Sequence, residues 1–342
     1  MKFGVSTAYH LIQKYPNASV TLVDRDAYDA DSRVAASWDW NKVVRADYDD
    51  LVYCRMGLEA QDIFESDPLW MPYFHKTGIF WTCRNSYAQQ VIDNYSKLGR
   101  KADLKAISVE DARKLYGGLF DDADYSDVQE VLVNKTSGWG AAGDCLTAIT
   151  KEAIRLGVKY IVAEVATVEL DSNGRCTGIK TTGGKRLSAT HTILSAGAFT
   201  PKLLELSVKS TGIDALSADN HIVAGGIATG MATLDQETYQ KFASMPVGVQ
   251  DYPSPLPFIG SLPPTKDREL KWWSQTIFTN TYEVLPGRSI SAPPAKPDYG
   301  QWDVPEKLRE GIKHASQVFY GETGVKWKKE KHRICWSVAS FL

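Results

Sequence analysis

Two basic residues, Lys42 and Arg45, stand three positions apart, just after the tryptophans Trp38 and Trp40. An arginine offers a planar fork of donors that suits a carboxylate, and aromatic rings can wall a ligand site. The segment therefore predicts either a ligand site that binds a carboxylate or a surface loop with solvated charges. Trp38 and Trp40 are equal candidates to line such a site, and the sequence does not choose between them.

A second set of residues has the spacing of a nucleotide site. A helix is predicted from Gly4 onward, because apolar residues recur at helical spacing at Val5, Ala8, Leu11 and Ile12. Residues 20–23 then predict a buried parallel strand that ends at Asp24. Asp24 follows Gly4 at roughly the 20-residue interval at which dinucleotide-binding units place an acid on the ribose 2′-hydroxyl. No G-x-G precedes Gly4, so half of the fingerprint is present.

Composition excludes several classes of protein. The 342 residues include 43% hydrophobic and 23% charged residues, which is ordinary for a globular protein long enough for two domains. A net charge of −2 gives no electrostatic case for binding nucleic acid or an anionic membrane. The five cysteines form no C-x-x-C pair, which argues against a zinc site. No membrane span and no signal peptide are recognised, and the chain does not end in a peroxisomal signal, so we expect a cytoplasmic or peroxisomal protein.

The elements that must position these residues follow in order. Helices are predicted at 49–64, 87–98, 108–114, 144–157 and 304–319. Strands are predicted at 80–83, 159–162, 190–194 and 331–336, with a β-hairpin over 164–180. The strand at 190–194 is expected to be buried, and the small residues 195–198 at its carboxyl end would let the backbone approach a ligand. The proline clusters and short β-like runs of 205–300 predict a mostly antiparallel second domain.

The Gly4 helix, Asp24, the helix–strand–hairpin at 144–180 and the small residues after 194 together resemble the FAD-binding half of the D-amino-acid-oxidase-like flavoproteins. The resemblance runs from residue 3 to about 336 and is strongest to the sarcosine oxidase and N-methyltryptophan oxidase branch, which includes fungal saccharopine, pipecolate and fructosyl-amino-acid oxidases. It implies an α/β (α+β) fold. A Rossmann-like FAD-binding domain (1–50 and 140–205) would join a mostly antiparallel β substrate domain (51–139 and 206–330).

The resemblance also implies which residues bind FAD. Gly4 matches the third glycine of G-x-G-x-x-G, Asp24 the ribose-binding acid, Val165 the residue whose backbone meets the adenine, and Gly197 a point of close backbone approach. Lys42 matches a basic residue beside the flavin ring, and Cys335 matches the cysteine that bonds covalently to the flavin. The alternatives are a solvated Asp24, a core Val165 and an inert buried Cys335.

Two residues take chemical roles in the same comparison. Arg45 is similar to the arginine that holds the substrate carboxylate, which is catalysis by positioning. Lys271 looks like the lysine that promotes the reaction of reduced flavin with oxygen, where a fixed cation stabilises developing negative charge. A lysine beside Trp272 and Trp273 is alternatively a surface residue whose stem covers apolar neighbours.

The resemblance implies an FAD-dependent oxidase of secondary amines or amino acids. Hydride would pass from the substrate C–N bond to the flavin, and O2 would reoxidise the flavin and form hydrogen peroxide. We expect a monomer whose partners are an amino-acid-like substrate and O2. Relative to the family, both ends of the chain look truncated. One alternative is therefore an inactive remnant with partial nucleotide binding, and another is a nicotinamide dehydrogenase, which would need neither Lys271 nor Cys335.

Overall fold

The computed structural model describes residues 2–30, 35–218, 221–251, 258–294, 302–321 and 330–340. Its helices are α1 (Lys2–Lys14), α2 (Leu51–Ser66), α3 (Tyr87–Lys97), α4 (Val109–Lys114), α5 (Ala142–Arg155), α6 (Thr200–Thr211), α7 (Gln236–Phe242) and α8 (Glu306–Tyr320). Short 3₁₀ turns lie at Met71–Tyr73, Leu115–Gly118, Gly197–Phe199 and Asp214–Leu216.

The first half of the chain contains strands β1 (Thr21–Asp24), β2 (Lys42–Val44), β3 (Phe74–His75), β4 (Ile79–Cys83), β5 (Leu104–Ile107), β6 (Glu130–Asn134), β7 (Gly138–Gly140), β8 (Lys159–Val162) and β9 (Val165–Leu170). The second half contains β10 (Cys176–Thr181), β11 (Arg186–Ser188), β12 (Ile222–Thr233), β13 (Val247–Gln250), β14 (Ile259–Leu262), β15 (Glu269–Thr279), β16 (Thr281–Leu285), β17 (Arg288–Ser291) and β18 (Glu330–Ser340).

The predicted nucleotide-binding unit forms around a parallel pair of strands, β1 and β8. Helices α1 and α5 pack together beside this pair, where Ala8 and Ile12 meet Ala153 and Val158 in a small buried cluster. The apolar face predicted after Gly4 is thus the face that α1 buries, except that Leu11 is only half-buried. The helix and the parallel pairing are confirmed, whereas β1 is half-exposed rather than buried.

The second half of the fold is an eight-stranded sheet in the order β18-β12-β15-β14-β13-β4-β6-β5. All of its neighbouring pairs are antiparallel except β13 with β4. The predicted mostly antiparallel region is therefore confirmed, and the α/β (α+β) fold class with it.

The two faces of this sheet have different roles. Trp272 of β15 points to one face, where its indole Nε1 donates to the Ile312 carbonyl of α8 at 2.9 Å and its ring joins the largest core cluster. Strands β4 and β13 contribute Trp81 and Val249 to a second core cluster on the opposite face, against Leu58 of α2 and Val91 of α3. We call this second face the site face, because Lys271 alternates with Trp272 along β15 and points to it.

One strand prediction is wrong. Residues 190–194 form no strand, and Ile193 and Leu194 are 63% and 38% exposed. A β-branched apolar run becomes a buried strand only where a neighbouring strand accepts its backbone hydrogen bonds. Among the described residues, no strand pairs with this segment. Its carboxyl end nonetheless reaches α1, since a Cβ at Gly4 would lie 3.2 Å from Cβ of Ser195.

Two helical glycines make a matched test of packing. A Cβ at Gly57 of α2 would lie 2.7 Å from Cα of Ala46 and 2.8 Å from the Arg45 backbone oxygen, whereas one at Gly311 of α8 would meet no atom within 4 Å in the part of the chain that the structure describes. We expect Gly57→Ala to lower the free energy of unfolding by about 1–3 kcal/mol through overpacking. Gly311→Ala should raise it by up to about 1 kcal/mol through helix propensity. Urea unfolding measures both, and equal effects in the two variants would contradict the packing described for α2.

Candidate functional site

One buried carboxylate organises the site. Oδ2 of Asp39 lies 2.6 Å from Nζ of Lys271 and 2.7 Å from Nζ of Lys42, and its Oδ1 lies 3.4 Å from Nη1 of Arg333. Asp39 and Arg333 are 1% exposed and Lys271 is 3% exposed. The Lys42 side chain is 44% exposed, so it is the cation of this group that faces outward. We call these four residues the Asp39 cluster.

Three elements bring the cluster together. Lys271 comes from β15 and Arg333 from β18, and both point to the site face, since Arg333 pairs with Thr229 and Thr229 pairs with Trp273. Asp39 comes from the loop before β2. Nη2 of Arg333 fastens this loop by donating to the Trp38 carbonyl at 3.0 Å, while the guanidinium lies 4.7 Å from the Trp38 ring centre.

The charges of the cluster set its protonation states. Burial alone would raise the pKa of the Asp39 carboxyl, but the attraction of Lys271, Lys42 and Arg333 outweighs burial and holds that pKa well below its usual range. Burial lowers the pKa of the Lys271 ammonium to about 8, although Asp39 opposes the shift. At neutral pH the cluster therefore holds more positive than negative charge.

Two further residues adjoin the cluster. Cys335 is 4% exposed and follows Arg333 by two residues on the site face, near enough to Lys42 and Lys271 that a thiolate there would raise the pKa of both lysines. Asn41 is fully buried, and its backbone carbonyl accepts a hydrogen bond from Lys271 at 3.0 Å. Among the described residues, neither polar atom of the Asn41 side chain has a hydrogen-bond partner, which is costly for buried groups unless a ligand supplies one.

Arg45 lies in an aromatic cage at the other end of β2. Its guanidinium carbon is 3.9 Å from the Tyr48 ring centre and 4.7 Å from the Trp81 ring centre. Its Nη1 donates to the Asp47 carbonyl and to the Tyr87 hydroxyl, the latter at 3.2 Å. Among the residues that the structure describes, no carboxylate lies within ion-pair distance of Arg45, although Arg45 is near enough to the buried Asp47 carboxyl to oppose the rise that burial causes in its pKa, and Nε and Nη2 of Arg45 donate no hydrogen bond. A half-buried arginine with one open edge is suited to binding an external carboxylate.

The residues predicted to bind the nucleotide end lie together around β1. Gly4 packs against Ser195 and Leu22, and the backbone oxygen of Asp24 accepts from Ala163 at 2.8 Å, two residues before Val165. Arg25 lies over the Phe199 ring at 4.6 Å and so joins the end of β1 to the Gly197–Phe199 turn. The same turn also contacts β18, the strand that carries Cys335.

These residues fit FAD at both ends of the site. Gly197 has a φ of +55°, which favours glycine, and a Cβ there would meet no atom of the described residues within 4 Å, so these residues leave room for a ligand at the turn. The surplus positive charge of the Asp39 cluster would stabilise the negative charge that a flavin ring gains on reduction, and the Asn41 amide, which has no partner among the described residues, offers the ring a donor and an acceptor.

The sequence missed three residues of the site. Asp39 lies between Trp38 and Trp40, and its i,i+3 spacing to Lys42 is the signal that could have indicated the ion pair. Nothing in the local pattern pointed to Asn41 or Arg333, because their roles depend on strands far apart in the chain. Trp38 carries the Arg333 guanidinium on its ring, and whether Trp38 or Trp40 lines a substrate pocket stays open.

Comparison with known proteins agrees with this geometry. The model of the FAD dependent oxidoreductase (DAO) family matches residues 3–227. The chain belongs to this family. The predicted resemblance to D-amino-acid-oxidase-like flavoproteins is thereby confirmed.

Among curated proteins, the chain is similar to L-saccharopine oxidase of Schizosaccharomyces pombe, with 24% identity over 261 residues that cover 72% of this chain and 57% of that protein. It is also similar to amino acid oxidase imqH of Aspergillus flavus, with 22% identity over 248 residues that cover 59% of this chain and 51% of that protein. The chain thus spans little more than half the length of these relatives.

Solved structures share the fold. A thermally stable mutant of fructosyl peptide oxidase superposes with a TM-score of 0.78 at 19% identity, covering 98% of this chain and 77% of that one. Fructosamine oxidase from Aspergillus fumigatus (Amadoriase II) superposes with a TM-score of 0.76 at 21% identity, covering 98% and 74%. Among the described residues, no helix combines the length and apolar character needed to cross a membrane.

Removing the central carboxylate should destabilise the protein strongly. Asp39→Asn leaves two buried cations without a counter-charge, so we expect the free energy of unfolding to fall by about 3–5 kcal/mol. Asp62→Asn is the control, because Asp62 pairs with Arg100 at the surface, where an ion pair contributes at most about 1 kcal/mol. Denaturant unfolding compares the two variants. A loss in Asp39→Asn as small as that of the control would contradict a structural role for the cluster.

The depressed pKa of Lys271 predicts a pH dependence. Folded Lys271 releases its proton near pH 8, whereas the unfolded chain keeps it until about the ordinary value of 10.5. Between these values the unfolded state binds more protons, so the Lys271 contribution to stability rises with pH, by at most about 1.4 kcal/mol per pH unit. The stability of wild type relative to Lys271→Met should therefore increase from pH 8 to 10.5. Curves that run parallel across this range would show that Lys271 titrates normally.

Proposed function

We propose that this protein is an FAD-dependent oxidase of secondary amines or amino acids that carry a carboxylate. The observation that carries the proposal is the buried Lys271, which is held beside Asp39, Asn41 and Cys335 on one face of a sheet. Membership of the FAD dependent oxidoreductase family and the names of the similar proteins support it. Saccharopine, fructosyl amino acids, pipecolate and sarcosine-like N-methyl amino acids are the candidate substrates.

The residues that would hold FAD divide between two regions. Gly4, Asp24, Val165 and Gly197 would bind the dinucleotide end, with the Asp24 carboxylate accepting from the ribose hydroxyls. Lys42 would lie beside the flavin ring, and Cys335 would attach it covalently. When bound, FAD supplies the acceptor for hydride from the substrate C–N bond and the means to pass electrons to O2, which yields hydrogen peroxide.

The chain's own residues would bind the substrate, orient its amine and stabilise negative charge that develops on oxygen. The open edge of Arg45 would take the substrate carboxylate and so place the amine for reaction. Lys271 is protonated at neutral pH and held rigidly by Asp39 and the Asn41 carbonyl, so it would stabilise negative charge that develops on oxygen without reorganising. Asp39 keeps its charge and would act as a positioning residue. An amine bound in its unprotonated form needs no general base.

The alternatives agree less well with the structure. An inactive remnant gives no reason for a complete cation cluster with an unpaired Asn41 beside it, since such groups are costly when they bind nothing. A nicotinamide dehydrogenase would need neither Lys271 nor Cys335. The monomeric state and the cytoplasmic or peroxisomal location remain predictions.

Flavin content and peroxide formation test the proposal together. Purified protein should be yellow, its flavin absorbance should remain with the acid-precipitated protein, and one of the four candidate substrates should yield hydrogen peroxide. Cys335→Ser should release its flavin into the acid supernatant, whereas Cys176→Ser, in β10 and outside the site, should retain it. A colourless protein, or a flavin-bound protein that makes no peroxide from any of the four, would refute the proposed activity.

A further inference from the structure

A second buried carboxylate, which the proposed mechanism does not use, follows Arg45 by two residues. Asp47 is fully buried, and its carboxylate accepts hydrogen bonds from Nδ2 of Asn134 at 2.7 Å and from Oγ of Ser137 at 2.6 Å. Among the described residues, no cation lies within ion-pair distance of this carboxylate. A buried carboxylate without an ion pair is costly, so its presence calls for a role.

The two donors to Asp47 come from the corner between β6 and β7. Asn134 ends β6, and its Oδ1 accepts from the Thr136 N–H at 2.9 Å. Ser137 comes directly before β7, and its Oγ accepts from Nε2 of Gln61 at 3.2 Å. Strand β7 is also the strand with which β2 pairs. The Asp47 side chain therefore anchors the segment after β2 to a corner that other buried residues hold in place.

The backbone of Asp47 contacts Arg45 itself. Its carbonyl oxygen accepts hydrogen bonds from Nη1 of Arg45 and from the Tyr87 hydroxyl, and that hydroxyl accepts from the same Nη1 at 3.2 Å. Burial raises the pKa of the Tyr87 hydroxyl, so the hydroxyl stays protonated and remains a donor. One end of the guanidinium is thus occupied by the protein, and Nε and Nη2 form the edge that donates no hydrogen bond.

The contact with Asp47 gives the guanidinium its direction. The aromatic contacts with Tyr48 and Trp81 attract the positive charge but have no hydrogen-bond direction, so they leave the guanidinium free to turn within its plane. The hydrogen bond to the Asp47 carbonyl is directional and selects one orientation. Bidentate binding of a carboxylate requires the two donors of the open edge in one orientation. Asp47 therefore controls a property on which such binding depends.

We propose that Asp47 is a positioning residue, which sets the direction in which Arg45 presents its open edge to a carboxylate ligand. The inference rests on the proposed role of Arg45 and adds a residue that does not touch the ligand. The anchor to Asn134 and Ser137 carries the effect, and the Asp47 charge does not. An asparagine at this position can keep the anchor, because its oxygen accepts from Asn134 and its amide donates to the Ser137 hydroxyl, which also accepts.

A pair of ligands without an oxidisable C–N bond tests the inference by binding alone. Cyclohexanecarboxylate has the ring size of pipecolate, and cyclohexanecarboxamide has the same shape without the charge. Tryptophan fluorescence of the purified, flavin-bound protein measures the Kd of each. Wild type should bind the acid about 10- to 100-fold more tightly than the amide, which is the range expected for a charged hydrogen-bonded pair. Arg45→Gln should abolish this acid preference.

Variants of Asp47 separate the anchor from the charge. Asp47→Ala removes both and should reduce the acid preference about tenfold, because a misdirected fork loses about one charged hydrogen bond. Asp47→Asn removes only the charge and should keep the preference within about twofold of wild type. Ser207→Ala is the structural control, because the buried Ser207 Oγ accepts from the Val168 N–H at 3.0 Å outside the site. Denaturant unfolding should show a loss of stability in this control, with no change in acid preference.

Two results would overturn the inference. One is an unchanged acid preference in Asp47→Ala, and the other is a preference in Asp47→Asn as low as that of Asp47→Ala, since the charge would then be responsible. If Asp47→Ala does not fold, Ser137→Ala decides, because it removes one donor of the anchor and keeps the charge. Ser137→Ala should weaken the acid preference, and an unchanged preference would refute the inference.

The same measurements distinguish this inference from the proposed activity. An acid preference that is absent in wild type, or that persists in Arg45→Gln, would refute the role of Arg45 and the inference with it. A preference that Arg45→Gln and Asp47→Ala both lose supports the inference even if no candidate substrate yields peroxide, in which case only the oxidase proposal fails. Circular dichroism of each variant confirms that it is folded.

Discussion

The attraction between the Asp39 carboxylate and three cations is the interaction on which the site depends. A buried lysine or arginine is costly without a counter-charge, and Asp39 supplies it to Lys271 and Arg333 at once. The same contacts attach the loop before β2 to β15 and β18. The Asp39 carboxylate therefore has two effects. It offsets the cost of burying the Lys271 charge, and it fixes the position of the Lys271 ammonium.

The sheet supplies the frame that this interaction needs. Alternation along β15 sends Trp272 into the core and both Lys271 and Trp273 to the site face. Glycine at 260 leaves room for the Trp273 indole on the neighbouring strand. Because register is specified wherever one face is buried, the core packing on α8 determines which residues line the site on the other side.

Much of the fold was predictable from local patterns. Helices α1, α2, α3, α5 and α8, the hairpin of β9 and β10, and strands at the positions of β1 and β8 follow from periodicity, capping and turn residues. The prediction of a strand at 190–194 was wrong. These residue types suit a strand, but a strand also requires a neighbouring strand with which to pair. Local patterns contain no information about that neighbour.

The sequence by itself determined the family, the nucleotide-binding spacing of Gly4 and Asp24, and the presence of Lys42, Arg45, Lys271 and Cys335. Apart from the i,i+3 spacing of Asp39 and Lys42, it contained no sign that Asp39 also pairs with Lys271 and Arg333, the second of which lies 294 positions away. Only the tertiary structure decided that Lys271 is buried with a lowered pKa and that the Arg45 guanidinium stacks between Tyr48 and Trp81. The physical reason is that charge pairing and burial act through space, so their effects appear only once the register of distant strands is set.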